Sequence, residues 1–229
     1  MYSAKIDSSP DQSRTDAASR PYAVGVESIA LAFSSGWASG VNSYLVVLVL
    51  GIADRIGGFD QVPDVLGRWE VLGVAAAMYA FEFVADKIPY VDTAWDVVST
   101  LIRPFVGGAV GVLIAGDSSS INDLAGGAVG GTSAFVSHLV KTGTRVAVNT
   151  SPEPFTNIAV SLGEDVVVLA LTWFAVQHPY IAGSIALTLL LLGLVLLWLS
   201  WRLVRRGWRR FRTWRDGRSG GPGVPQPLT

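Results

Sequence analysis

Nine ionisable residues, Glu82, Asp86, Asp96, Arg103, His138, Lys141, Arg145, Glu164 and Asp165, stand within or at the edges of stretches otherwise apolar enough to be membrane helices. At the centre of a span each would cost about 2.5 to 3.5 kcal/mol, so such groups need partners or water. Helical spacing sorts them. At 100° per residue Glu82 and Asp86 share one face, while Asp92, Asp96 and Arg103 form one stripe. His138, Lys141 and Arg145 fall together near the end of another segment, and Glu164 and Asp165 are adjacent on a fourth. Two chemistries fit the set. Arg103, Lys141 and Arg145 could neutralise Asp86, Asp96 and Glu164/Asp165 and lock four helices together. Alternatively, part of the cluster could line a watery vestibule where Glu82 or Asp165 binds a cation or proton and His138 tunes it. Glu82, enclosed by apolar neighbours, is the first choice for that role.

These groups must be positioned by helices in a bilayer. Of 229 residues, 50% are hydrophobic and only 15% charged, whereas soluble domains run to about 25% charged. A hydrocarbon layer about 30 Å thick needs roughly 20 helical residues. Residues 28–53 and 181–201 meet that requirement without a charge, and 69–87, 94–115, 123–148 and 155–177 are helix-length segments carrying the ionisable groups. The expectation is an all-α polytopic bundle of six transmembrane helices. Residues 1–22, rich in Ser, Asp and Pro, are expected to be a disordered cytoplasmic lead, with the transmembrane domain at 23–206 and a basic cytoplasmic tail at 207–229. With no cysteine and two distant histidines, neither a thiolate site nor an all-protein metal centre is expected, and no cofactor.

Eight arginines fall between Arg202 and Arg218, and the positive-inside rule puts that tail in the cytoplasm. Six spans then place both termini inside a plasma membrane. Trp201, Arg205, Arg206, Trp208 and Arg209 interleave aromatic and basic groups. They suit anchoring on anionic lipid headgroups rather than on nucleic acid. Asn149-Thr150-Ser151 has the spacing of a glycosylation acceptor, but the loop falls on the cytoplasmic side.

Sliding the chain on itself by 90 residues aligns Gly40 with Gly130, Ser43 with Ser133, Arg55 with Arg145, Gly73 with Gly163, and Pro89-Tyr90 with Pro179-Tyr180. That offset maps three spans on the next three, the pattern of an inverted 3+3 repeat, with copies at about 28–116 and 123–206. Both copies hold a small-residue run, one around Gly36 and Gly40 and one around Gly130 and Gly131. Such runs serve close helix packing or homo-oligomerisation. They also suit helices broken at the midplane, with backbone groups turned to a ligand.

The stretches ASGVNSYL, EFVADKIPYVDTAWD, IRPFVGG and NTSPEPFTNIAVSLGEDV resemble a family of bacterial multi-pass membrane proteins catalogued as a domain of unknown function, DUF4126. The resemblance covers about residues 28 to 205. It implies an integral, inner-membrane location and carries no assigned activity or site residue. An enzyme is not expected. Gly131-Thr132-Ser133-Ala134 only loosely resembles an intramembrane serine protease motif, and its partner would be His178, in a turn. The expected function is a small secondary transporter or channel-like protein whose cytoplasmic-side cluster handles an ion or solute. The alternative is a non-transporting scaffold that recruits a partner or anionic lipid.

Overall fold

The computed structural model describes residues 11–57, 59, 61–88, 90–116, 120–148 and 154–219. They form six helices: α1 (Asp11–Gly57), α2 (Trp69–Ala85), α3 (Val91–Ala115), α4 (Ser120–Val148), α5 (Pro154–Gln177) and α6 (Pro179–Ser219). By length and composition four helical stretches can cross a bilayer: Gly25–Gly57, Val91–Ala115, Phe155–Gln177 and Pro179–Arg209. α2 is shorter, at 17 residues, and α4 carries Asp123, Lys141 and Arg145 among its glycines and hydroxyls. The expected disordered lead overlaps the start of α1, which begins at Asp11; residues 1–10, the Asn149 motif and the last ten residues of the tail lie outside the described residues.

α1 is the hub. It packs on all five other helices, and Leu31, Ala38, Val46, Leu50 and Ala53 along it are buried. It is also two helices. Asn42 has φ −152° and ψ 96°, an extended conformation inside an otherwise helical run, and its side-chain oxygen accepts the Leu45 N–H at 3.0 Å. That is the geometry of an N-cap: a first segment ends at residue 41 and a second starts at 43.

The neighbours of the two segments define their directions. Along the first, the carbonyls of Phe33, Trp37 and Val41 accept in turn from Ser133, Ser137 and Lys141 of α4; both series ascend, so this segment runs in the same sense as α4. Along the second, Gly51 lies against Leu72 and Arg55 sits 3.8 Å over the Trp69 ring, so it runs antiparallel to α2. α2 folds back on α3 through the short turn after Ala85, with Phe81 edge-on to Trp95. α3 and α4 are antiparallel, with Gly107 beside Ala134 and Gly111 beside Gly126. Through α2, α3 and α4 the second segment therefore runs opposite to the first. The chain reverses at Asn42, inside the bundle.

This reversal changes two expectations. Residues 28–53 are not one continuous span, and the first segment of α1 enters the bundle at the end that holds the Phe174–His178 turn, where Ala30 touches Gly183. The basic end of α6 is at the other end of the bundle, so the described chain does not bring both ends to one face. Gly36 and Gly40 also have a definite role. A Cβ on Gly36 would lie 2.7 Å from the Gly130 Cα, and one on Gly131 would lie 3.2 Å from the Pro104 carbonyl oxygen. The small-residue runs are used within the chain, to bring α1, α3 and α4 close. α4 runs as one helix through Gly126–Ser133, and among the described residues the break is in α1.

Candidate functional site

The break in α1 sits on the charged cluster. Ending the first segment at residue 41 orphans its last carbonyls, and two of them are taken by buried cations: Arg103 Nη1 donates to the Gly40 carbonyl at 3.0 Å and Lys141 Nζ to that of Val41 at 2.9 Å. Both cations therefore sit at the negative end of a half-helix.

Each cation is also shared between carboxylates. Arg103 on α3, 1% exposed, pairs with Glu82 of α2 and lies 3.6 Å from Asp96. Its Nη1 also reaches His138 Nδ1 at 2.8 Å, while His138 Nε2 lies 3.1 Å from the Asp96 carbonyl. Arg103 has only donors, so Nδ1 accepts and Nε2 carries the proton toward that carbonyl. Lys141 on α4 lies 2.8 Å from Asp86 and 3.6 Å from Glu164. Arg145, one turn further along, contacts Glu164 at 2.7 Å, Asp86 at 3.3 Å and Asp92 at 3.5 Å. Asn157 completes the corner by accepting from Arg145 at 3.1 Å and donating to the Asp86 carbonyl at 3.2 Å. Four helices and the break in a fifth are tied through one network.

Its charges do not balance. Six carboxylates, those of Glu82, Asp86, Asp92, Asp96, Glu164 and Asp165, stand with three buried cations. Lys87, at the rim, donates to the Phe83 carbonyl and lies over the Phe83 ring, and its charge also acts on Asp165 and Asp86, which still leaves carboxylates in excess. Asp165 is held differently from the rest: Asn42 Nδ2 donates to its Oδ1 at 3.0 Å. Its Oδ2, Glu82 Oε2 and Asp86 Oδ1 are buried with no hydrogen-bond partner in the protein. Among the described residues no group of three His, Asp or Glu side chains has the arrangement of a metal site.

All nine ionisable residues singled out from the sequence thus belong to one assembly. The profile of the family described as "Domain of unknown function (DUF4126)" matches residues 29–199. The chain belongs to the DUF4126 family. No curated protein and no solved structure matches it. The matched DUF4126 region contains the whole charged network and the break in α1.

The protease-like pair in this DUF4126 chain is not assembled. Ser133 Oγ donates to the carbonyls of Gly130 and Phe33, whereas His178 lies against the Phe174 ring in the turn between α5 and α6. Trp201, Arg205, Arg206, Trp208 and Arg209 are exposed on the continuation of α6, and Arg202 lies 5.1 Å from the Trp198 ring. Sequence reasoning missed Asn42 and Asn157. Asn42 had a signal, as a lone amide among Gly, Ser and apolar residues, where an N-cap inside a span is the economical reading. Asn157 had none beyond its place near Glu164.

Proposed function

We propose that this protein is a small secondary transporter or channel-like protein in which the buried network binds and passes a proton or small cation. The observation that carries the reading is the reversal of α1 at Asn42 directly on a carboxylate-rich cluster. Discontinuous helices at membrane depth are tolerated where they line a cavity or are buried in protein, and transporters build their binding sites on them. A cluster that only locked helices together would be stablest with charges matched, because an unmatched buried charge is strongly unfavourable. Here carboxylates exceed cations. A proton or cation on Glu82 or Asp165 would restore the balance, and removing it would leave a negative site beside Arg103 and Lys141.

In this reading the α6 tail is cytoplasmic by the positive-inside rule and rests on anionic lipid. The second segment of α1 with α2 and α3 forms one three-helix unit, and α4 to α6 the inverted copy. The copies have diverged. The sequence partners of Glu82 and Asp86 are Thr172 and Val176, so these two carboxylates have no counterpart in the second copy.

Voltage-clamped proton, Na⁺ and K⁺ fluxes in proteoliposomes test the proposal, with wild type compared with Glu82→Gln. A protein-dependent flux that falls in the variant supports it. Wild-type vesicles no leakier than empty ones, under any of the three gradients, would favour the scaffold reading, in which the charged end recruits a partner.

A further inference from the structure

Five buried polar side-chain atoms without a protein partner fall on two helix faces that meet at Asp165. On α5 they are Ser161 Oγ, Asp165 Oδ2 and Thr172 Oγ1; on the first segment of α1 they are Ser35 Oγ and Ser39 Oγ. Ser161, Asp165 and Thr172 lie within about 40° of one another around α5 at 100° per residue, and Ser35, Ser39 and Asn42 within about 60° around α1. The α1 face is the one turned away from α4, which packs against Gly36 and Gly40.

The register follows from the fold. The first segment of α1 shares the sense of α4, and α5 is antiparallel to both. The Asn42–Asp165 hydrogen bond therefore sets Ser39 level with Val168 and Ser35 level with Thr172, about 10 Å from the carboxylate at 1.5 Å per residue. The stripe runs toward the end of the bundle that holds the Phe174–His178 turn. Ser35, Ser39, Ser161 and Thr172 are each at most 1% exposed. Buried hydroxyls in proteins are nearly always hydrogen-bonded, to protein or to water. Water is the partner that would satisfy them.

We propose that the seam between the first segment of α1 and α5 holds a file of water molecules that carries protons between Asp165 and the end of the bundle at the Phe174–His178 turn. This deepens the transport reading and rests on it. Each oxygen in the file accepts one hydrogen bond and donates another. A proton delivered at one end is released as a different proton at the other, every hydroxyl ends as it began, and the Asp165 carboxylate takes up and gives back one proton per passage. The seam supplies the polar continuity that the charges alone lack.

The chain has no cysteine, so single thiols can be read without background. Ser39→Cys and Thr172→Cys are exposed to Ag⁺, an ion small enough to follow water, with Val110→Cys in the apolar core as the dry control. The expected result is loss of the free thiol at 39 and 172, with block of proton flux, and an unreacted thiol at 110. Should a thiol variant not fold, Ser35→Ala with Thr172→Val serves instead. Removing unpaired hydroxyls is close to neutral for stability, so a well-folded double variant with reduced proton flux supports the file. Thiols at 39 and 172 no more reactive than that at 110, or an unchanged flux in the double variant, overturn it, and the transport reading survives if wild-type flux is present. Absence of wild-type flux overturns transport itself, and conduction along the seam with it.

Discussion

Arg103 shows what a single residue must do here. Its guanidinium faces Glu82, Asp96, His138 and the Gly40 carbonyl at once, and Lys in its place could not span that planar set. Arg103→Gln leaves Glu82 and Asp96 buried beside each other without their shared guanidinium, with Lys141, 4.0 Å from Glu82, as the remaining cation. The expected loss is about 3 to 5 kcal/mol, the usual cost of breaking a buried pair by removing one partner. Thermal unfolding in detergent followed by tryptophan fluorescence measures it, and Glu82→Gln/Arg103→Gln should recover part of the loss. The nine charged positions were legible in the sequence because charge inside an apolar segment is costly and therefore conspicuous. Their pairing was only partly legible: spacing puts Glu82 and Asp86 on one face, but that Arg103 takes the first and Lys141 with Arg145 the second depends on tertiary register. Asn42 was missed for a related reason. An N-cap is a local device, yet in an apolar run its neighbours carry the periodicity of one continuous helix.

At the scale of elements, the contact of α1 with α4 and α3 is a glycine contact, and two glycine substitutions should separate packing from propensity. Gly36→Val puts branched carbons into the backbone of α4 at Gly130 and should prevent stable folding, seen as loss of a monodisperse peak in size-exclusion chromatography. Gly73→Ala on α2 has open space around its added methyl. It should raise stability by about 0.5 to 1 kcal/mol through lower conformational freedom in the unfolded chain. Existence and type of the elements were readable from length and hydropathy, and the helix boundaries fall within a few residues of the sequence expectation for α3 and α5. A break in α1 was one of the two readings of its small-residue run, but the reversal of direction there was not readable. Residues 28–53 have the length, apolarity and absence of Pro that define a single span, and only the series of α4 hydroxyls and Lys141 on the α1 carbonyls reveals the direction of its first half.

For the whole molecule, that reversal makes a prediction about sidedness. The N-terminal end of α1 and the arginine-rich end of α6 should lie on opposite faces of the membrane. Reporter fusions that are active on one side only, placed at each end, check this: opposite signals agree with a turn at Asn42, and equal signals restore an uninterrupted first span. α6 itself runs for 41 residues, about 60 Å at 1.5 Å per residue and twice the hydrocarbon thickness, so its basic end must leave the apolar layer. The central claim is that the carboxylate excess beside the turn works on protons or cations and is not merely a lock between helices. Asp165→Asn tests it most directly, because an amide oxygen can still accept from Asn42 while the charge is gone. The measurement is proton flux in proteoliposomes together with the melting temperature in detergent. The account predicts a lost flux at a melting temperature equal to or above that of the wild type, and a flux that persists unchanged in a well-folded variant would contradict it.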